Sequence, residues 1–186
     1  MKKFITFLFV IFTDCNCLLG QDNLVVFLTD AIADSVPVFH NDTTAECFTK
    51  IKEDQQKENW HDVEILGVSD NRYKVHIIPL NDTKASIIDG WLYKEQCGVW
   101  LLGRYIKDGL FIVRLYAKPG QPSPIIRLYD KMLDDFGKYT NGKAVPVLDF
   151  KLYQGHYWIK TVIVKNHKRI VGWTRDYCPN IYGSCN

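Results

Sequence analysis

An internal repeat constrains this chain more than any other feature. The run DVEILGVSDNRYKVHII (62–78), closing on GWLYKEQC (90–97), is echoed by AVPVLDFKLYQGHYWIKTVIV (144–164) and GWTRDYC (172–178). Val63 precedes Gly90 by 27 positions, and Val145 precedes Gly172 by the same 27. Trp91 and Trp173 stand 82 apart, as do Leu66 and Leu148. Upstream, VPVFHNDTTA (36–45) is matched by VRLYAKPGQPS (113–123), each an extended run followed by loop-forming residues. Equal spacing over several features argues for duplication of one small folding unit.

Within each copy the periodicity is that of strands. Tyr73, Val75 and Ile77 alternate with Arg72, Lys74 and His76, the two-residue period of a strand with one buried face. YWIKTVIV (157–164), LVVFL (24–28), VPVF (36–39), FIVRLYA (111–117) and AVPVLDF (144–150) are rich in β-branched and aromatic residues. Asp70-Asn71, Asn81-Asp82, Pro119-Gly120, Asn141-Gly142 and Asn166-His167 mark turns between them. Helix is expected only at 45–58 and 129–139, at the same stage of each half. The chain is mainly β.

Charge divides the chain where the repeat does. Residues 21–102 carry 14 Asp/Glu against 7 Lys/Arg, and residues 103–186 carry 6 against 14. Net values of −7 and +8 predict an acidic unit and a basic unit that meet near residue 103 and attract each other. Because salt screens exposed charges, apolar contact must supply the rest of the docking, and Trp100, Leu101 and Leu102 are the candidates.

The N-terminus reads as an export signal. Lys2 and Lys3 precede FITFLFVIF (4–12), an apolar run too short to span a bilayer, and polar residues follow. Cleavage near Gly20–Gln21 makes residues 1–20 a signal peptide and the mature chain periplasmic or secreted. A lipoprotein anchored at Cys15 or Cys17 is the less favoured alternative, since Asp14 and Asn16 stand where a small residue is wanted. No segment of the mature chain has transmembrane length. Its four cysteines, Cys47, Cys97, Cys178 and Cys185, allow three disulfide connectivities. Pro179-Asn180 and Gly183-Ser184 supply turns that bring Cys178 to Cys185, which leaves Cys47 for Cys97.

VRLYAKPGQPSPII, VPVLDFK, HYWIKTVI and IVGWTRDYC together resemble the bacterial SH3-like domain, over roughly 111–178, with a more divergent copy over about 35–98. The resemblance implies two tandem small SH3-like β-barrels, at 21–102 and 103–186, with short helical insertions and no catalytic apparatus. It also implies aromatic grooves between loops, lined by Tyr116, Tyr157, Trp173 and Tyr177 in the second barrel and by Phe39, Tyr73, Trp91 and Tyr93 in the first. A single lipocalin-type barrel is the rival fold, and the repeat argues against it.

Catalytic and metal chemistry finds little support. Cys97 with His76 is the least poor thiol–imidazole pair, but neither stands in a nucleophile context. No Cys-x2-Cys or His-x3-His spacing occurs, no Gly-rich phosphate loop is present, and adjacent Asp134 and Asp135 suit a solvated face. No cofactor, no metal and no nucleic-acid partner are expected. Lys165, His167, Lys168 and Arg169 form a basic hairpin tip, either a solubilising turn or an anion contact. The expected function is a non-enzymatic binding module for a cell-wall polymer or an envelope protein or peptide. An inhibitor or immunity-type protein that blocks a secreted enzyme is the alternative.

Overall fold

The computed structural model describes residues 23–29, 34–54, 56, 59–81, 85–130 and 144–178, so the leader, Cys185 and Asp134-Asp135 lie outside the described residues. Among the described residues fifteen strands follow one another: β1 Leu24–Leu28, β2 Val36–Phe39, β3 Cys47–Ile51, β4 His61–Val68, β5 Arg72–Pro79, β6 Ile88–Tyr93, β7 Cys97–Leu101 and β8 Arg104–Lys107. They continue as β9 Leu110–Leu115, β10 Ile126–Asp130, β11 Val145–Pro146, β12 Asp149–Tyr153, β13 His156–Lys165, β14 Lys168–Thr174 and β15 Tyr177–Cys178. The expectation of a mainly β chain holds. Among the described residues the one helical element is a 3₁₀ turn, Lys94–Gln96, between β6 and β7.

Helix at 45–58 is corrected. Cys47–Ile51 is strand β3, paired with β2, and Asp54 bridges Asn59. The pairing edge of β2, available only in the tertiary fold, outweighs the weak local preference of this polar segment. The second expected helix, 129–139, begins as the end of β10 and otherwise lies outside the described residues.

Strands β4, β5 and β6 form an antiparallel meander. β1 pairs with β4 on one side and β7 on the other, and β2 carries β3 onto the far side of β6. Strands β8, β9 and β10 make a second sheet, and β12, β13 and β14 a third. Tyr73, Val75 and Ile77 are fully buried, as their alternation predicts.

The repeated Gly-Trp has a packing origin. A Cβ on Gly90 would lie 2.4 Å from Val38 Cγ1 and 3.2 Å from the Phe39 carbonyl oxygen, and one on Gly172 would lie 2.9 Å from Leu115 Cβ. In each copy a strand crosses closely over the glycine, and only a residue without a Cβ admits it. The following tryptophans make equivalent bridges, Trp91 with Phe39 and Trp173 with Tyr116. Both indoles are half-buried.

The expected boundary near 103 falls between β7 and β8, yet the two halves do not have separate cores. β11 and β15, from the second half, both return to pair with β7. One apolar cluster runs from Leu24, Val63 and Tyr73 through Val99 to Leu115, Val147 and Ile163. The predicted contact residues lie on this seam: Leu101 pairs with Tyr177, Trp100 pairs with Cys178, and Trp100 stacks on Phe27. Asp176, 3% exposed, lies at the seam and reaches across it through its backbone. Its carboxylate meets Arg104 Nε at 2.5 Å and Arg114 Nε at 3.3 Å, while its carbonyl accepts the Leu102 N–H at 3.0 Å.

The Cys47–Cys97 bridge is a further correction. Both residues are free thiols, one on β3 and one on β7, and five strands separate β3 from β7 in the sheet order. Cys178 is not a free thiol, and Cys185, its expected partner, lies outside the described residues.

Candidate binding cleft

A concavity among the described residues forms where a turn, a strand end and the second half of the chain converge. Ser69 closes the β4–β5 turn, its N–H donating to the Arg72 carbonyl at 2.9 Å and its hydroxyl accepting from the Arg72 N–H at 3.3 Å. That closure leaves Asp70 and Asn71 exposed at the tip. The Asn71 carbonyl accepts the Lys94 N–H at 3.0 Å, which joins the turn to the 3₁₀ segment. Gln96 Oε1 accepts the Tyr93 N–H at 3.0 Å and fixes the start of that segment. Asp70, Asn71, Tyr93, Lys94, Glu95 and Leu148 line a cleft of about 500 Å³, within the range of small-ligand and side-chain pockets.

Behind Tyr93 sits a buried cation. Arg72 is 4% exposed; its guanidinium lies 3.7 Å from the Phe39 ring centroid and 4.5 Å from that of Tyr93. Nη1 donates to the carbonyls of Asn41 and Thr44, both at 2.8 Å, and Nη2 to the Tyr93 hydroxyl at 2.9 Å. Asn41 orders that loop, Oδ1 accepting the N–H groups of Thr43 and Thr44 at 3.0 and 2.8 Å. No carboxylate among the described residues pairs with Arg72, so ring faces and carbonyls replace its hydration. The result is a Tyr93 ring held in one orientation at the cleft wall.

The structure separates the aromatic residues singled out from the sequence. Tyr93 lines the cleft. Phe39, 3% exposed, is buried against Arg72, and Trp91 bridges it from β6. Tyr73 is fully buried and donates its hydroxyl to the Val147 carbonyl at 2.9 Å; its place in a surface groove is corrected, because it is a core residue that ties the two halves. Burial, with Cys97 and Asp149 nearby, holds its phenol above the ordinary range. Tyr157 packs against Phe150, ring centroids 5.9 Å apart, and Tyr177 lies against the same core with its phenol pushed up to about 12 by burial and by Tyr157. Tyr116 sets its edge on Trp158 at 5.3 Å and bridges Trp173. The four aromatics of the second half thus divide between core packing and a bridge.

Sequence reasoning missed most of the cleft. Asp70-Asn71 was legible as a turn, but nothing local marks Glu95, Lys94 or Leu148 as its neighbours. Arg72 is a correction of another kind. Its place in the alternation predicts a solvent-facing side chain, and the loop carbonyls that draw it inward come from 28 and 31 residues away.

Nucleophile chemistry is absent from the pair considered. Cys97 is fully buried and its thiol is pushed well above the ordinary range by desolvation, while His76 contacts Asp89 on the exposed face. Among the described residues no group of three His, Cys, Asp or Glu is placed to hold a metal, and no helix is long and apolar enough to cross a membrane. No protein-family model, no curated protein and no solved structure matches the chain.

Proposed function

We propose that this chain is an exported, non-enzymatic binding module of SH3-like type that takes an extended ligand, a wall fragment or envelope peptide, in the cleft beside Tyr93. The observation that carries the reading is the rigid Tyr93 wall: a half-buried ring braced by Arg72, opposite the exposed Asp70-Asn71 turn. Supporting it, the first half runs β7, β1, β4, β5, β6, β2, β3 across its sheet with a 3₁₀ turn before β7, a small antiparallel unit of the kind the resemblance implies. An aromatic face flanked by polar turn residues suits extended chains, whose groups alternate in direction. Leu148 adds an apolar contact from the second half, so the ligand would touch both copies.

Retention of the full chain on purified peptidoglycan sacculi tests the reading. Tyr93→Ala should lower retention about tenfold or more, as for a binding hot spot, but it also strips a partner from buried Arg72 and so lowers the melting temperature; Asn71→Ala, at the exposed tip, should lower retention while leaving the melting temperature within a few degrees. Retention by none of these proteins would overturn the wall reading. Inhibition of a secreted wall hydrolase without retention would favour the inhibitor alternative.

A further inference from the structure

We propose that the β13–β14 hairpin is a docking surface for an anionic lipid bilayer. Two residues, Asn166 and His167, make its turn, with φ of +51° and +60°. That tight connection sets Lys165 directly opposite Lys168 and Val164 opposite Arg169. Like charges across an antiparallel pair weaken it. Among the described residues none of Lys165, Lys168 and Arg169 has a carboxylate in ion-pair range, whereas Lys160, nearer the root, stands across from Asp149; Arg104 and Arg114 take the buried Asp176. The positive charge of the hairpin tip is uncompensated, on the half of the chain whose net charge is +8 (14 Lys/Arg, 6 Asp/Glu).

Alternation divides the hairpin into two faces. Ile159, Thr161 and Ile163 point into the core at 0, 0 and 1% exposure. The opposite face pairs Lys160 with Trp173, Val162 with Val171, and Val164 with Arg169. Near the root of the hairpin that face is covered, where Tyr116 and Arg175 lie against Trp158. Toward the tip the face opens, with Val162 and Val164 half-buried and Val171 46% exposed. On this face Lys160 and Arg169 flank the valines, while Lys165 and Lys168 extend the core-side face at the very tip, where Lys168 is exposed. Valines beside basic residues at a hairpin tip fit a phospholipid interface, where cations reach phosphates and aliphatic groups enter the acyl boundary. A soluble polyanion would engage the charges and leave the valines in water, and so fits less well.

Co-sedimentation of the full chain with vesicles tests this, using phosphatidylcholine mixed with phosphatidylglycerol and phosphatidylcholine alone. The chain should partition onto the mixed vesicles only, and less so as salt rises. Lys165→Gln, Lys168→Gln and Arg169→Gln together should lower partitioning on the order of a hundredfold, about fivefold per charge. Val171→Ser should lower it severalfold without altering the melting temperature, which separates lipid contact from misfolding. Equal partitioning onto neutral vesicles, or none lost in the triple variant, would overturn the proposal. So would binding of soluble polyphosphate that survives Val171→Ser while vesicles are ignored, which assigns the surface to a polyanion. Concentration-dependent dimers abolished by the triple variant, without vesicle binding, would assign it to a second copy.

Discussion

The Arg72 guanidinium is held by three hydrogen bonds and two ring faces inside the acidic half of the chain. Arg72→Met would leave two carbonyls and a phenol without their donor, and should cost about 2–4 kcal/mol in urea unfolding. Arg72→Lys should recover little of that, since an ammonium lacks the planar fork that reaches all three partners. The two free thiols should differ in chemistry: Cys47, half-buried, should react with a thiol reagent in the native state, and Cys97 only on unfolding. Asp62 gives a pH-dependent test. Burial first, then Glu53 and Glu64, raise its carboxyl above the ordinary 3.8. The folded state therefore keeps this proton to higher pH than the unfolded chain does. The associated stability is complete below about pH 3.8 and is lost as pH climbs through the raised value. Asp62→Asn should melt higher than the parent at pH 7, by less than about 1 kcal/mol given its partial exposure, and the gap should close in acid.

Among the elements, β6 and β14 show what the Gly-Trp repeat is for. Gly90→Ala and Gly172→Ala should each destabilise by about 1–3 kcal/mol, because the added methyl meets Val38 or Leu115 and the crossing strand must shift. The closer approach, 2.4 Å at Gly90 against 2.9 Å at Gly172, predicts the larger loss at Gly90. Chemical denaturation of the two variants measures the order. The equal spans of 27 residues conceal unequal hairpins. Trp91 faces Lys74 while Trp173 faces Lys160, so the third strands are offset by 82 and the second by 86. Two-residue turns at Gln154-Gly155 and Asn166-His167 lengthen β13 at the expense of its loops. The repeat was legible as a count, and its partition between strand and loop was not, since that depends on which residues pair.

For the whole molecule, the seam at β7 decides how the halves behave. Strand pairing with β11 and β15, the Tyr73–Val147 hydrogen bond and the Leu102–Asp176 backbone hydrogen bond join them through buried contacts. Charges of opposite sign add a long-range term that salt removes beyond about 10 Å. The two halves should therefore unfold in one calorimetric transition, and molar salt should shift its midpoint by only a few degrees, since buried pairs are screened little. Two resolved transitions would show that the shared apolar cluster does not couple the halves.

What the sequence determined by itself is local and periodic. Val75 and Ile77 declared a buried strand face through alternation, Asn166-His167 declared a turn, and Gly90-Trp91 with Gly172-Trp173 declared a repeated spacing. Only the tertiary structure decided where strand edges find partners. It made Cys47–Ile51 a strand, brought β11 and β15 to β7, and sank Tyr73 from an expected groove into the core. It also drew Arg72 beneath Tyr93. The reason is that backbone groups and buried side chains are satisfied by whatever lies across the fold, at separations such as the 74 residues between Tyr73 and Val147. No window of neighbouring residues encodes that distance.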